Sequence, residues 1–230
     1  MTAAAEAGGE SRRSVLRDAL AIAVATGVYG ISYGAIGVAG GLSISQTCAL
    51  SLLMFTGGSQ FAFVGVVGAG GSPASAISAA LLLGARNTFY GVRLATLLRL
   101  RGLWRLLGAH VVIDETTAMA IGRRDPGLAR LAYWATAGML FTLWNVGTVI
   151  GAVAGASIGD PRTYGLDAAA PAAFIALLWP QLTGRRPRMI AVSGAVIALV
   201  LVPLTPPGVP VLAAGGVALL AGLLERRHSA

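Results

Sequence analysis

The stretch SQTCALSLLMFTGGSQFAFVGVVGA, residues 45–69, decides the fold. It is apolar almost throughout and long enough to cross a bilayer as a helix, but Thr56-Gly57-Gly58-Ser59-Gln60 interrupts it near the middle. A break at this depth leaves polar backbone groups without water, so it is tolerated only where it is buried in protein or lines a cavity. We therefore expect two half-helices, with Gly57 ending the first and Ser59 capping the second.

The end of a half-helix inside a membrane presents unpaired amides and a positive dipole to whatever lies next to it. This favours a substrate site within the bilayer. The candidate substrate-binding residues of this stretch are Gly57, Gly58, Ser59 and Gln60. The alternative is a glycine kink that only lets helices approach closely, and these residues alone do not separate the two interpretations.

The composition of the chain excludes an ordinary soluble domain. Of its 230 residues, 56% are hydrophobic and 11% are charged, against about 25% charged in soluble proteins, and the mean hydropathy is +0.76. The 17 basic residues are all arginine and cluster at the ends of apolar segments. That pattern is typical of topology signals rather than of nucleic-acid binding.

We therefore predict an all-α integral membrane protein with about seven transmembrane or near-spanning helices, some of them broken or re-entrant. Residues 1–18 are predicted to form a cytoplasmic polar tail, and residues 19–230 a single polytopic transmembrane domain. Its expected surroundings are the lipid bilayer and its headgroups, with no nucleic acid.

The apolar segment from Pro73 to Leu98 carries Arg86 near its middle, with Tyr90 one turn further on the same face. An arginine at that depth costs roughly 2.5–3.5 kcal/mol on insertion scales, so it should face protein or a wet cavity. Alternatively, the span ends near Arg86 and the remainder lies at the membrane interface.

Two adjacent acids, Asp114 and Glu115, lie in the moderately apolar stretch from Leu106 to Ile121. Spacing of i, i+4 predicts that His110 shares a helix face with Asp114. Acids in an apolar stretch suggest a proton relay, which makes Asp114 and Glu115 candidate proton-coupling residues. The alternative is an interfacial or re-entrant helix whose acids touch water.

Two glycine-striped segments, residues 19–42 and 131–158, are each followed by a segment with helix breakers. The breakers are Gly57-Gly58 after the first, and Pro171 and Pro180 after the second. Paired interrupted helices in corresponding places predict an internal repeat and point to a transporter site.

Arginine clusters at 123–130, 185–188 and 226–227 predict one cytoplasmic side, including the C-terminus, with residues 160–167 and 205–208 opposite. For the earlier half, either residues 99–105 lie outside or one early segment is re-entrant. Charge counting favours the second.

Motifs for catalysis do not accompany these features. Gly57-Gly58-Ser59 invites comparison with intramembrane serine proteases, but Gln60 follows where a glycine is needed and His110 lies among acids. The sequence contains no phosphate loop, dinucleotide fingerprint or zinc spacing. We predict no catalytic residues, no metal site and no cofactor.

Several short motifs recur together along the chain: Gly34-Ala35-Ile36-Gly37 leading to Gly41-Leu42-Ser43, Phe55-Thr56-Gly57-Gly58-Ser59-Gln60-Phe61, Ala85-Arg86-Asn87 with Tyr90-Gly91, Asp114-Glu115-Thr116, Trp144, and Gly165-Leu166-Asp167. In this combination, over most of residues 19–183, the chain resembles the AzlC-type large subunit of the branched-chain amino acid exporters (the LIV-E permease family). It departs from the expected pattern at Gly84, where we would expect asparagine, and at Asn87, where we would expect histidine.

The resemblance implies a non-enzymatic permease in the bacterial cytoplasmic (inner) membrane that exports leucine, valine, isoleucine or methionine, driven by an ion gradient. It also implies a small AzlD-type membrane subunit as partner. The rival interpretation is an intramembrane enzyme or a non-transporting membrane assembly subunit.

A zwitterionic substrate needs a positive group, a negative group and an apolar pocket. The broken helix and Arg86 are expected to bind its carboxylate, and Asp114 or Asp167 its ammonium group, while Asn87 completes the polar set. The expected apolar lining consists of Phe55, Phe61 and Trp144.

Overall fold

The computed structural model of the chain describes residues 11–157, 172, 175, 178–179 and 182–228. Within these ranges the chain is α-helical and contains no strand, which confirms the predicted all-α class. The helices are α1 Arg12–Gly27, α2 Tyr29–Ala39, α3 Ile44–Leu53, α4 Gly58–Gly68, α5 Pro73–Gly84, α6 Arg86–Leu98, α7 Leu103–His110, α8 Asp114–Ile121, α9 Pro126–Ser157, α10 Arg185–Leu201 and α11 Val209–His228.

The first eight helices form four pairs, each joined by a kink or a break. Val28 and Ala85 keep helical angles, with φ −59° and −56°, so the α1–α2 and α5–α6 joints are kinks. The other two pairs are true breaks, because Met54 (φ −119°, ψ 65°) and Ile113 (φ −137°, ψ 176°) leave the helical region. The predicted break in residues 45–69 is therefore present, and a second one follows at 111–113.

The details of the first break differ from the prediction. Gly57 does not end α3, which stops at Leu53, but precedes α4 with φ +61° and ψ −92°, angles that only glycine adopts readily. Ser59 lies at the second position of α4 and caps nothing. The capping oxygen belongs to Gln60, whose longer side chain reaches back to the Gly57 amide.

Helical stretches that are long and apolar enough to cross a bilayer unaided occur at Arg12–Ala39 (28 residues) and Pro126–Ser157 (32 residues) among the described residues. The first begins at Arg12, before the apolar run at Ala19, because Ser11 and Ser14 form a reciprocal cap at its start. The remaining apolar segments in the described ranges are built from shorter helices.

The glycine stripes allow α1 and α2 to lie directly against α9. A Cβ at Gly34 would clash with the Thr148 carbonyl, and one at Gly151 with the Ile31 carbonyl, while a Cβ at Gly147 would lie 2.9 Å from the Gly27 oxygen. The backbones therefore touch, and these glycines form a packing groove.

The main apolar core connects the two breaks. Phe55 from the first break, Ile113 from the second and Trp144 of α9 belong to one buried cluster. Tyr33 lies at its centre, with its ring centroid 5.8 Å from that of Phe61 and 6.0 Å from that of Trp144. This rigid aromatic packing fixes the positions of the two breaks relative to each other.

Candidate functional site

Gln60 closes the first break from inside the protein. Its side chain is fully buried (0% exposed). Its Oε1 accepts a hydrogen bond from the Gly57 amide at 3.2 Å, and its Nε2 donates to the carbonyls of Leu50 (3.5 Å) and Ser51 (3.4 Å) at the end of α3. One amide side chain thus satisfies backbone groups on both sides of the break, where water cannot do so.

Thr116 has the same role in the second break. Its hydroxyl accepts from the Ile113 amide at 3.1 Å and lies 2.8 Å from the Val111 carbonyl, to which it donates. Thr116 is the third residue of α8, as Gln60 is the third residue of α4. Thr116 was quoted from the sequence only within the motif Asp114-Glu115-Thr116, without a role of its own, and the signal for its role is this position, three residues after a break.

A hydrogen bond between His110 and Leu52 connects the two breaks. His110 ends α7, and its Nε2 donates to the Leu52 carbonyl near the end of α3 at 2.9 Å. The expectation that His110 and Asp114 share a helix face is wrong, because the 111–113 break places them in different helices. His110 therefore links α7 to α3 instead of extending the acidic pair.

Arg86 is the only arginine that the structure places beside both breaks within its described ranges. Its Nη1 forms an ion pair with Asp114 Oδ2 at 2.8 Å, and the two side chains are 47% and 41% exposed. Its Nη2 lies 3.6 Å from the position that a Cβ on Gly58 would occupy. The guanidinium group thus lies between the first residue of α4 and the first residue of α8.

Asp114 and Arg86 lie in different electrostatic environments, although each lies at the positive end of a helix. Asp114 and Glu115 occupy the first turn of α8, where the positive end of the helix dipole stabilises negative charge. Arg86 lies near the equally positive start of α4, where a cation is disfavoured unless an anion lies between them. The amides of Gly58 and Ser59 lie in the first turn of α4, so α4 itself offers no carbonyl group to which they could donate a hydrogen bond.

A cavity of about 1010 Å³ lies beside this ion pair, bounded by α3 to α7 and by Tyr133 of α9. Its volume is at the upper end of the roughly 300–1,000 Å³ of small-molecule sites. The lining is mainly apolar, and its polar side chains are Thr56, Ser59, Thr88, Asn87, Arg105, His110 and Tyr133. The Asn87 Oδ1 atom is buried and has no hydrogen-bond partner in the part of the chain that the structure describes.

The structure brings most of the predicted site residues together. Gly57, Gly58, Ser59, Gln60, Arg86, Asn87, Asp114 and Glu115 all lie at the two breaks or at the kink between α5 and α6. Phe55, Phe61 and Trp144 do come together, but as a buried cluster that does not line the cavity. Asp167, Pro171 and Pro180 lie outside the described residues.

No group of three or more His, Cys, Asp and Glu side chains that could hold a metal ion occurs in the part of the chain that the structure describes. The breaks offer a guanidinium group, two carboxyl groups, an amide oxygen and backbone amides, together with the Ser59 hydroxyl and the His110 imidazole. Such a set can bind charged groups.

Comparison with known proteins gives two matches. The family model described as "AzlC protein" matches residues 21–158, which include both breaks and the Arg86–Asp114 pair. A protein of Archaeoglobus fulgidus, described as an uncharacterized membrane protein, is 33% identical over 161 residues, covering 69% of this chain and 70% of that protein. No solved structure matches.

Proposed function

Because this chain belongs to the AzlC family of membrane proteins, we propose that it is the large subunit of a permease that exports branched-chain amino acids. Leucine, valine and isoleucine are the proposed substrates, together with other apolar amino acids such as methionine. The family supports transport rather than catalysis. The arrangement of charges at the two breaks supports a zwitterionic substrate.

One observation carries the proposal: Arg86 lies between the start of α4 and Asp114. Nη1 of Arg86 binds Asp114, while Nη2 faces Gly58 at a helix start that repels a cation. A substrate carboxylate placed between Nη2 and the amides of Gly58 and Ser59 would turn that repulsion into two favourable interactions. This is the position at which we place the α-carboxylate.

The ammonium group of the substrate has two acceptors within the same region. Asp114 Oδ1 and Asn87 Oδ1 are both buried, and both lack a hydrogen-bond partner within the described ranges. Asp114 uses only its other oxygen for the ion pair with Arg86. An amino acid therefore binds beside the ion pair, with its carboxylate next to Arg86 and its ammonium group next to Asp114.

The apolar side chain of the substrate extends into the neighbouring cavity. Ser59 and Asn87 line this cavity at the end near the breaks, and side chains such as Leu81, Val92 and Leu94 line the rest. Burying a leucine or isoleucine side chain there contributes about 1.5–3 kcal/mol. A polar side chain would lose hydration along the apolar part of the lining, so that part of the cavity favours apolar substrate side chains.

Coupling to an ion gradient is assigned to Asp114 and Glu115. One guanidinium group faces these two carboxyl groups, so the cluster has an excess negative charge that is costly inside a membrane. A proton on one carboxyl group, or a bound monovalent cation, supplies the missing positive charge. Binding and release of that charge on opposite sides of the membrane would drive the export cycle.

We place the protein in the bacterial cytoplasmic (inner) membrane with its C-terminus in the cytoplasm. The arginine clusters at 123–130, 185–188 and 226–227 support this orientation. A small AzlD-type membrane subunit is the proposed partner. The half-exposed Arg86–Asp114 pair supports such a subunit, because charged groups at this depth need protein or water around them.

Export from loaded cells tests the function. Cells that contain this chain and its small subunit should release radiolabelled leucine faster than cells without them. Arg86→Gln should abolish the gain, and Arg93→Gln, two turns further along α6 and also exposed, should retain it. Release that is equal in all strains, or normal release with Arg86→Gln, would rule out the site proposed here.

A further inference from the structure

Two buried hydroxyl groups at the α8–α9 interface have no hydrogen-bond partner among the residues that the structure describes. Thr117 is 5% exposed and Thr136 is 0% exposed, and neither Oγ1 atom makes a hydrogen bond. Threonine in a helix commonly donates to the carbonyl four residues earlier, as Thr142 and Thr148 of α9 do at 2.9 Å and 2.8 Å. The hydroxyls of Thr117 and Thr136 are therefore turned away from the bond that their own helices offer.

The packing of α8 against α9 places both hydroxyls on facing helix surfaces. The two helices are consecutive in the chain and are joined by the short connection at residues 122–125. Two core clusters contain residues from both sides of this interface: Ala120 lies with Tyr133, and Ile113, which directly precedes α8, lies with Leu140. Thr117 stands between Ile113 and Ala120, and Thr136 between Tyr133 and Leu140, both at helical spacings of three and four residues, so both threonines lie on the faces by which the two helices pack.

Asp114 adds a third unpaired oxygen to this place. It precedes Thr117 by three residues in α8, a spacing that puts the two side chains on one face with about 5–6 Å between their Cβ atoms. Its Oδ1 is buried without a partner among the described residues, while its Oδ2 binds Arg86. Three unsatisfied buried oxygens thus lie on α8 and on the face of α9 packed against it, a set that a bound water or cation would satisfy.

We propose that Asp114 Oδ1 and the hydroxyls of Thr117 and Thr136 bind a sodium ion. The inference rests on the proposed function, because the ion balances the negative charge by which Asp114 and Glu115 together exceed Arg86. All three donors are hard oxygens, which suit a hard cation. Only one of them is a carboxylate oxygen, which suits a single positive charge.

Sharing of Asp114 makes the ion and the substrate compete. The same Oδ1 atom is the acceptor proposed for the substrate ammonium group. A sodium ion bound there therefore weakens substrate binding, and the reverse holds by linkage. Alternate occupation of one carboxylate from the two sides of the membrane gives exchange of an entering sodium ion for a departing amino acid.

Thermal unfolding of the purified full-length protein, with its small subunit where the two copurify, tests the sodium site. Sodium chloride should raise the Tm by about 2–4 °C over choline chloride at equal ionic strength. Thr117→Val and Thr136→Val should each lose this shift. Both variants should fold, because valine replaces an unpartnered hydroxyl with a methyl group of the same shape. Thr142→Val, an exposed position on α9, should keep the shift.

Leucine binding provides the second readout. In the wild type, sodium should weaken leucine binding roughly fivefold or more, and this effect should disappear in the two valine variants. A Tm and a leucine affinity that are the same in sodium, potassium and choline would overturn the sodium site and leave water as the occupant. A sodium-specific Tm shift without any leucine binding would keep the ion site and refute the proposed substrate instead.

Discussion

At the scale of single residues, Gln60 and Thr116 show how a helix break is sealed. Each is the third residue after its break, and each binds the backbone on both sides of it. From the sequence, Gln60 is predicted to bind the substrate. Its two functional atoms are instead engaged with Gly57, Leu50 and Ser51, so Gln60 is a positioning residue for the start of α4. Residue type alone does not tell which partner an amide will find.

We expect Gln60→Ala to lower the free energy of unfolding by about 1–3 kcal/mol, because it leaves buried backbone groups without partners. Gln60→Glu should also destabilise the protein, because its carboxylate faces the carbonyls of Leu50 and Ser51 as a second acceptor. Thermal unfolding in detergent measures both effects. Gln46→Ala, which removes an exposed cap at the start of α3, is the control. Equal stability of the Gln60→Ala and Gln46→Ala variants would contradict this role.

At the scale of elements, the two breaks differ in how visible they are in the sequence. Gly57-Gly58 indicates the first break, because glycine permits the positive φ found at Gly57. Val111-Val112-Ile113 marks the second, without glycine or proline. β-branched residues favour extended backbone and the Thr116 hydroxyl seals the break locally, but the break is also held by the hydrogen bond from His110 to α3, which is a tertiary feature. From the sequence, residues 106–121 are therefore predicted as one segment, without the break at 111–113.

The contact between α1–α2 and α9 leads to a further prediction. Gly151→Ala should destabilise the protein strongly, because the new methyl group would collide with the Ile31 carbonyl and overpacking at a rigid backbone contact costs about 1–3 kcal/mol or more. Gly138→Ala is the matched control on the same helix, since a Cβ there meets nothing within 4 Å. The amount of monodisperse protein extracted from membranes, and its Tm, measure the difference. Similar values for the two variants would show that α9 does not touch α2 closely.

At the scale of the whole molecule, the sequence predicted the all-α class, the membrane setting and most of the residues that meet at the two breaks. Apolar periodicity and arginine clusters follow from bilayer physics, and they are visible without coordinates. The convergence of Arg86, Asp114 and the start of α4 could not be derived in that way, because it depends on the kink at Ala85 and on the second break. Trp144 illustrates the same limit: its apolar character was evident, but its place in the core cluster and away from the cavity was not.

The central claim is that Arg86, the start of α4 and Asp114 together recognise both charges of an amino acid. Competition for radiolabelled leucine on the purified protein tests it most directly. Leucinamide lacks the carboxylate and 4-methylpentanoate lacks the ammonium group, so each should compete at least roughly a hundredfold more weakly than leucine. Arg86→Gln should weaken leucine binding and abolish the discrimination against leucinamide. Equal competition by leucine and either analogue in the wild type would contradict the claim.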